Sequence, residues 1–404
     1  MRTFFVLCLL QLGLLSVAQE RCASSAYIES VKSSSPAEAE RMADAERFLQ
    51  KDRMLFSENA KGATAPVIKI PVVVHVLYNN ASQNISDALI KSQIEALNRD
   101  FRRQNADSVK TPARFQAVAA DIEIEFYLAT VDPKGRGTNG IIRKQTSVAN
   151  WFNNDKIKSS AQGGDDPWES QNYLNIWVGK LISGAGYSSA PGSDGNKDGV
   201  VINYSAFGSS DANGYYNMGR TATHEVGHWL GLKHIWGDAQ CGDDGISDTP
   251  TQGWYTQTCP TGFQSTCNNG DLGDMYMNYM DYTPDACMNL FTEGQKRKMR
   301  TAFAEGGPRA SLLQSKGLKE PWLVENLTEI GTTVSIYPNP AQAEINVSFG
   351  AERVGKVVSI YNLNGTLIQS IQVKAAVQKL NIAALKAGMY FLRGEGLSEK
   401  FVKL

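Results

Sequence analysis

Three of the chain's four histidines, His224, His228 and His234, crowd into the stretch THEVGHWLGLKHIWGD. His224 and His228 are four residues apart, so on a helix both imidazoles stand on one face and reach one ion. Gly231 lets the helix stop and turn in a left-handed conformation, and His234 can then swing back as a third ligand. Three neutral nitrogen donors with an open fourth position describe a catalytic zinc site, since a structural site would be closed by a fourth protein ligand. Glu225, between the first two histidines, is placed to take a proton from water and deliver it to a leaving amine. The full pattern H-E-x-x-H-x-x-G-x-x-H therefore predicts peptide hydrolysis without a covalent intermediate. The bland alternative, unrelated core or surface histidines, fits poorly with so few histidines elsewhere. This pattern is accompanied by a later methionine turn. MNYMDY (277–282) offers Met280 as a soft plug beneath the zinc. Tyr282 is a candidate donor to the developing oxyanion, or simply a core tyrosine.

The elements around this motif follow from periodicity. VIKIPVVVHVLYNN (67–80) reads as a buried strand, with His75 a satisfied core histidine. SDALIKSQIEALNRDFRRQN (86–105) reads as an amphipathic helix, with Ile90, Ile94, Leu97 and Phe101 inward and Ser86 as N-cap. IEIEFYLAT (122–130) and YLNIWVGKL (173–181) read as further strands. The order predicts an α/β (α+β) domain in which helices back a mixed sheet. Beyond Pro321 short alternating strands are split by Pro-Asn, Asn-Gly and Ala-Gly turns, which predicts a small all-β sandwich with Tyr337, Tyr361 and Tyr390 in its core. A chain of 404 residues is long enough for two or three units. A net charge of −1 gives no reason to expect nucleic acid or an anionic membrane as partner.

MRTFFVLCLLQLGLLSVAQE has a positive start, an apolar core too short to span a bilayer comfortably, and small residues before Gln19. It reads as a signal peptide over 1–18, and no other long apolar run suggests a transmembrane segment. Residues 19–61, polar and helical in character, read as a peripheral pro-segment or a disordered terminus. The catalytic domain is expected over 62–320 and the sandwich over 330–404. Cys8 leaves with the signal. Cys241, Cys259, Cys267 and Cys287 favour two disulfides in an exported chain, with three pairings open, and Cys22 is left over.

The stretch from GVVINYSAFG through the histidine motif, CGDDGISDTP and MNYMDYTPDACMNLFTEGQ resembles the pappalysin family of metzincin metalloproteases, over about residues 65–310. The resemblance implies a two-lobed zinc-protease domain, zinc on His224, His228 and His234, Glu225 as base and Met280 in the methionine turn. It also implies the pairing Cys241–Cys267 and Cys259–Cys287. Compact microbial members bind calcium near the acidic loop, which makes Asp244, Asp248 and Thr249 candidate ligands in a loop rich in the oxygens calcium needs. SDGNKDG (193–199) has calcium-like spacing but lacks the closing glutamate, and a solvated turn is the plainer reading. The same members favour arginine beside the scissile bond, for which Asp285 is the candidate partner. SIYPNPA, VSIYNLNG, GMYFLR and KFVKL resemble the C-terminal sorting domain of proteins exported by the type IX machinery, which implies a secreted or surface-attached product.

The expected activity is thus a secreted zinc endopeptidase acting on protein or peptide substrates. A catalytically inactive, protease-like surface adhesin and an exopeptidase are the alternatives. Cys22 is the candidate fourth zinc ligand of a zymogen, with Arg21 anchoring it on an acidic group of the cleft, because a thiolate binds zinc well. The rival reading is an incidental free thiol.

Overall fold

The computed structural model of the chain describes residues 21–51, 66–210, 214–320, 334–363, 365–394 and 397–404. The signal peptide expected over 1–18 lies outside these residues. The chain divides into two compact units, 1–320 and 321–404.

The first unit is built on a mixed sheet. Its central strand β1 (Ile68–Tyr78) is buried almost throughout, because both faces are covered. The first half of β1 pairs in parallel with β2 (Ile124–Leu128), and the second half pairs in parallel with β3 (Ile141–Gln145). On its other side β1 pairs in parallel with β4 (Leu174–Gly179). The sheet continues through β6 (Val200–Asn203), parallel to β4, and ends on β5 (Gly186–Ser188), which is antiparallel to β6. Strands β3, β5 and β6 go beyond the sequence reading; they are short, and their period is too brief to register.

Helix α3 (Asp87–Phe101) starts where expected: the Ser86 hydroxyl accepts the Leu89 N–H at 3.2 Å. Its inward face buries Ile90, Ile94, Leu97 and Phe101. A single turn, α4 (Ala113–Gln116), precedes β2. Helix α5 (Arg220–Trp229), which carries the histidine motif, has no exposed residue. Helix α6 (Glu293–Thr301) opens with a capping box between Thr292 and Gln295. His75 is fully buried, bonded through Nδ1 to Asp165 at 2.7 Å and through Nε2 to the Asn175 side chain at 3.0 Å, a satisfied core residue.

The expectation that residues 19–61 are peripheral is overturned for residues 21–51. They form α1 (Ser24–Ser34) and α2 (Pro36–Lys51), docked on the catalytic unit. Tyr27 and Val31 of α1 and Met42, Ala45 and Leu49 of α2 are buried. The physical reason is spacing: residues 42, 45 and 49 make one apolar stripe that a solvated helix would leave wet.

The second unit has two antiparallel sheets, numbered in chain order. β8 (Glu344–Ser348) lies between β7 (Ser335–Tyr337) and β11 (Val377–Asn381). The other sheet runs β10 (Leu367–Gln372), β9 (Val357–Asn362), β12 (Gly388–Gly394), β13 (Leu397–Lys403). Of the three tyrosines expected in its core, Tyr390 is buried, Tyr361 is half-buried and Tyr337 is 50 % exposed. Alternation along β7 turns Ile336 inward, and so turns Tyr337 out.

Candidate active site

The three histidines converge, and the way they are held bears on what they can bind. The Nδ1 of His224 donates to the Tyr279 carbonyl at 2.7 Å, and that of His228 to the Leu232 carbonyl at 2.9 Å. The Nδ1 of His234 is bonded to the Asp238 carboxylate. Each acceptor fixes the Nδ1–H tautomer, so every Nε2 carries a lone pair. Yet Nε2 of His228 lies 3.1 Å from Nε2 of both His224 and His234. Three lone pairs facing one another repel unless a cation stands among them, so the donor set fits a zinc ion. Burial pushes the His224 and His228 imidazoles below the usual histidine range, aided by the neighbouring rings, which keeps both neutral as ligands.

Local structure delivers this convergence. Gly231 adopts φ +94°, which ends the helix and returns the chain toward His234. Met280 is fully buried directly beneath α5: a Cβ at Gly227 would meet its Sδ at 2.5 Å. Trp236 stacks on His234 with centroids 4.4 Å apart. Tyr282 faces the rings of His224 and His234 at 5.7 and 4.9 Å. Its hydroxyl donates to the Cys22 carbonyl at 3.0 Å.

The family described as pregnancy-associated plasma protein-A, peptidase M43, matches residues 158–304. An extracellular metalloprotease of Uncinocarpus reesii is 31 % identical over 270 residues, covering 62 % of this chain and 83 % of that protein. One of Verticillium alfalfae is 32 % identical over 254 residues, covering 56 % of this chain and 90 % of the relative. The chain belongs to the pappalysin family. Among solved structures, Tannerella forsythia mature mirolysin in complex with a cleaved peptide is 50 % identical, with a TM-score of 0.60 over 62 % of this chain and 97 % of its own. A Tannerella forsythia promirolysin mutant is 45 % identical, with a TM-score of 0.66 over 73 % of this chain and 97 % of its own. A secretion-system C-terminal sorting domain matches residues 335–403. This pappalysin is a zinc metalloendopeptidase.

The histidine cluster is covered by the chain's own N-terminal segment. The Cys22 Sγ belongs with the three histidines to one buried cluster whose ligand atoms all lie within 4.8 Å of one another. Burial, reinforced by Glu225, pushes the Cys22 thiol well above the usual range, a balance that a cation among the histidines would oppose. Glu225 is fully buried; its Oε2 accepts from the Ser24 hydroxyl at 2.6 Å, while its Oε1 has no partner. Burial raises its carboxyl to about 7. Arg21 donates to the Thr283 carbonyl at 2.6 Å and to Asp285 Oδ1 at 2.7 Å, both side chains of the ion pair being inaccessible to solvent.

The disulfides of this pappalysin join Cys241 to Cys267 and Cys259 to Cys287. In the acidic loop, Asp244 and Thr249 come together, with the Thr249 hydroxyl donating to Asp244 Oδ1 at 2.8 Å. Asp244 Oδ2 is buried without a partner, and burial lifts this carboxyl to about 7. Asp248 accepts from the Thr292 hydroxyl and the Gly294 N–H, both at 2.7 Å, at the start of α6. In SDGNKDG the solvated turn fails for Asp198, which is buried against Arg309 with a contact at 2.9 Å.

Sequence reasoning missed a buried network that locks the site together. Arg220 donates to Asp107 at 2.6 Å, to Asp100 at 3.3 Å, and to the Asp285 and Met288 carbonyls, each at 2.6 Å. Asp100 also accepts from Thr223 and Tyr279, both at 2.9 Å. The end of α3, the start of α5, the Tyr279–Met280 segment and the Asp285 loop are thus joined by one charge cluster. The available signal was Asp100 itself, a carboxylate three residues from Leu97 on the apolar face of α3.

Proposed function

We propose that the chain is the zymogen of an exported endopeptidase that cuts beside arginine or lysine, with Glu225 as general base. The observation that carries this reading is three lone-pair-bearing imidazoles converging next to a buried carboxylate with one free oxygen. Zinc bound there would supply Lewis acidity, polarising a scissile carbonyl and acidifying a water. Glu225 takes that water's proton and passes it to the leaving nitrogen. The Tyr282 hydroxyl, freed from the Cys22 carbonyl, donates to the charge that develops on the scissile oxygen. Cys22 would join the three histidines in holding the zinc until the pro-segment is cut, for which Arg53 and Lys61, outside the described residues, are candidate points.

The basic preference is supported by Arg21, a built-in arginine side chain bound where a substrate's would be. The decisive experiment digests a peptide library with the activated enzyme, with and without a zinc chelator. Internal cuts beside Arg or Lys, lost with chelator, are expected; an inactive adhesin gives none, and an exopeptidase trims ends. Asp285→Asn is expected to lower kcat/KM for basic peptides about 10²-fold, because one side of a buried charge pair is lost, while neutral peptides change little. A library cut without regard to basic residues removes the role of Asp285.

Calcium on the Asp244 loop is supported by the unpartnered Oδ2. Added calcium is expected to raise the melting temperature by several degrees, at about 2–4 °C per kcal/mol of binding linkage. Asp244→Ala is expected to abolish that response, and an unchanged response would eliminate the site. Export by a signal peptide and the type IX machinery is supported by the sorting-domain match and by relatives described as extracellular. Among the described residues no helix is long and apolar enough to cross a membrane.

A further inference from the structure

The pro-segment traces a path across the cleft. The Ala185 N–H donates to the Arg21 carbonyl and the Ala23 N–H to the Gly186 carbonyl, each at 3.0 Å, so residues 21–23 lie as an added strand on edge strand β5. The Ser188 N–H then donates to the Ser24 hydroxyl at 2.8 Å. Arg21 sits on one side of the histidines, Cys22 at them, and α1 continues along β5 on the other side. Its next large side chain is Tyr27, which is 5 % exposed.

Tyr27 enters a recess whose polar groups and facing ring come from the catalytic unit, while Val31 and Met42 of the pro-segment helices belong to the same buried cluster. Its hydroxyl donates to Asp155 Oδ1 at 2.6 Å and accepts from Lys158 Nζ at 3.3 Å. Its ring lies 4.9 Å from that of Tyr187 on β5, and Lys158 Nζ lies 4.9 Å from the Tyr27 ring centroid. Burial, with Asp155 adding to it, keeps this phenol protonated as a donor. The walls do not depend on their guest. Lys158 Nζ donates to the Lys197 carbonyl at 2.7 Å and pairs with Asp155 at 3.1 Å. The Tyr187 hydroxyl donates to the Asn154 carbonyl at 2.7 Å. A recess with its own internal bonds is preorganised for whatever replaces Tyr27.

The geometry points to a substrate subsite formed by Asp155, Lys158 and Tyr187 that takes a tyrosine side chain. It lies across the scissile bond from the basic residue. It rests on the endopeptidase reading above. A substrate strand added to the same edge advances about 3.3 Å per residue, against about 1.5 Å along a helix such as α1, so the tyrosine lies roughly two to three residues from the cut. An apolar side chain fills the ring contact but leaves Asp155 and Lys158 without their phenol, so phenylalanine is the discriminating competitor.

The test uses the activated enzyme and peptides with one basic cleavage site, carrying Tyr, Phe or Ala at each of the three positions across the cut. At one position Tyr is expected to exceed Phe about tenfold in kcat/KM, the effect of a hydrogen bond to a charged group, with Ala lower still. Asp155→Ala is expected to bring Tyr down to Phe, with a circular-dichroism spectrum matching the parent's showing that the variant is folded. If that variant is unfolded, the wild-type series decides alone. Equal rates for Tyr, Phe and Ala, with the basic site still cut, overturn the subsite; no cutting of any peptide instead overturns the endopeptidase reading.

Discussion

Glu225→Ala protein is expected to bind zinc in full and to cut peptides about 10²–10⁴-fold more slowly than the parent. The carboxylate is not among the converging ligands: its Oε2 bonds the Ser24 hydroxyl of the pro-segment, and its Oε1 is unpartnered. Removing it leaves the tautomers of His224, His228 and His234 untouched, because those are set by Tyr279, Leu232 and Asp238. Metal analysis of the activated variant should therefore give the parent's zinc content, with the loss falling on kcat. Activity near the parent's, or zinc lost along with activity, would show that Glu225 is not the base.

Cys22→Ala zymogen is expected to cleave a small peptide about 10- to 100-fold faster than the parent zymogen, since one anchor to a charged centre is worth about 1.5–3 kcal/mol. It should still fall short of the activated enzyme. Leu49 and Met42 remain buried, Glu38 still accepts the Asp194 N–H at 3.0 Å, and Glu46 still pairs with Lys298 at 3.0 Å. These contacts hold the helices across the cleft without the thiol. A second readout is independent of activity: cobalt-substituted parent zymogen should show a sulfur-to-metal charge-transfer absorption that the variant lacks. Equal silence of the two zymogens, with no such absorption, would make latency purely steric.

The residues that chemistry uses were legible because they are close in sequence. His224 and His228 are one helical turn apart, Gly231 supplies the turn, and His234 follows it, so the triad is a local fact of the backbone. The same holds for the Ser86 cap and the inward stripe of α3. The short strands β3, β5 and β6 were not legible, because strands of three to five residues carry too little alternation to stand out. Nor was the pro-segment's depth of burial, since a stripe of Met42, Ala45 and Leu49 says only that a helix has a dry side, not what dries it.

Tertiary structure alone decided which distant groups meet. Arg21 reaches Asp285 across 264 positions, Cys22 lies beside Glu225 across 203, and Tyr27 reaches Asp155 across 128. Asp100 and Arg220, 120 positions apart, are brought together by the docking of α3 on α5. Local sequence dictates the conformation of each helix and turn through short-range sterics and hydrogen bonds. Which charge is buried against which depends on the order in which strands join the sheet, and that is settled only when the whole core excludes water.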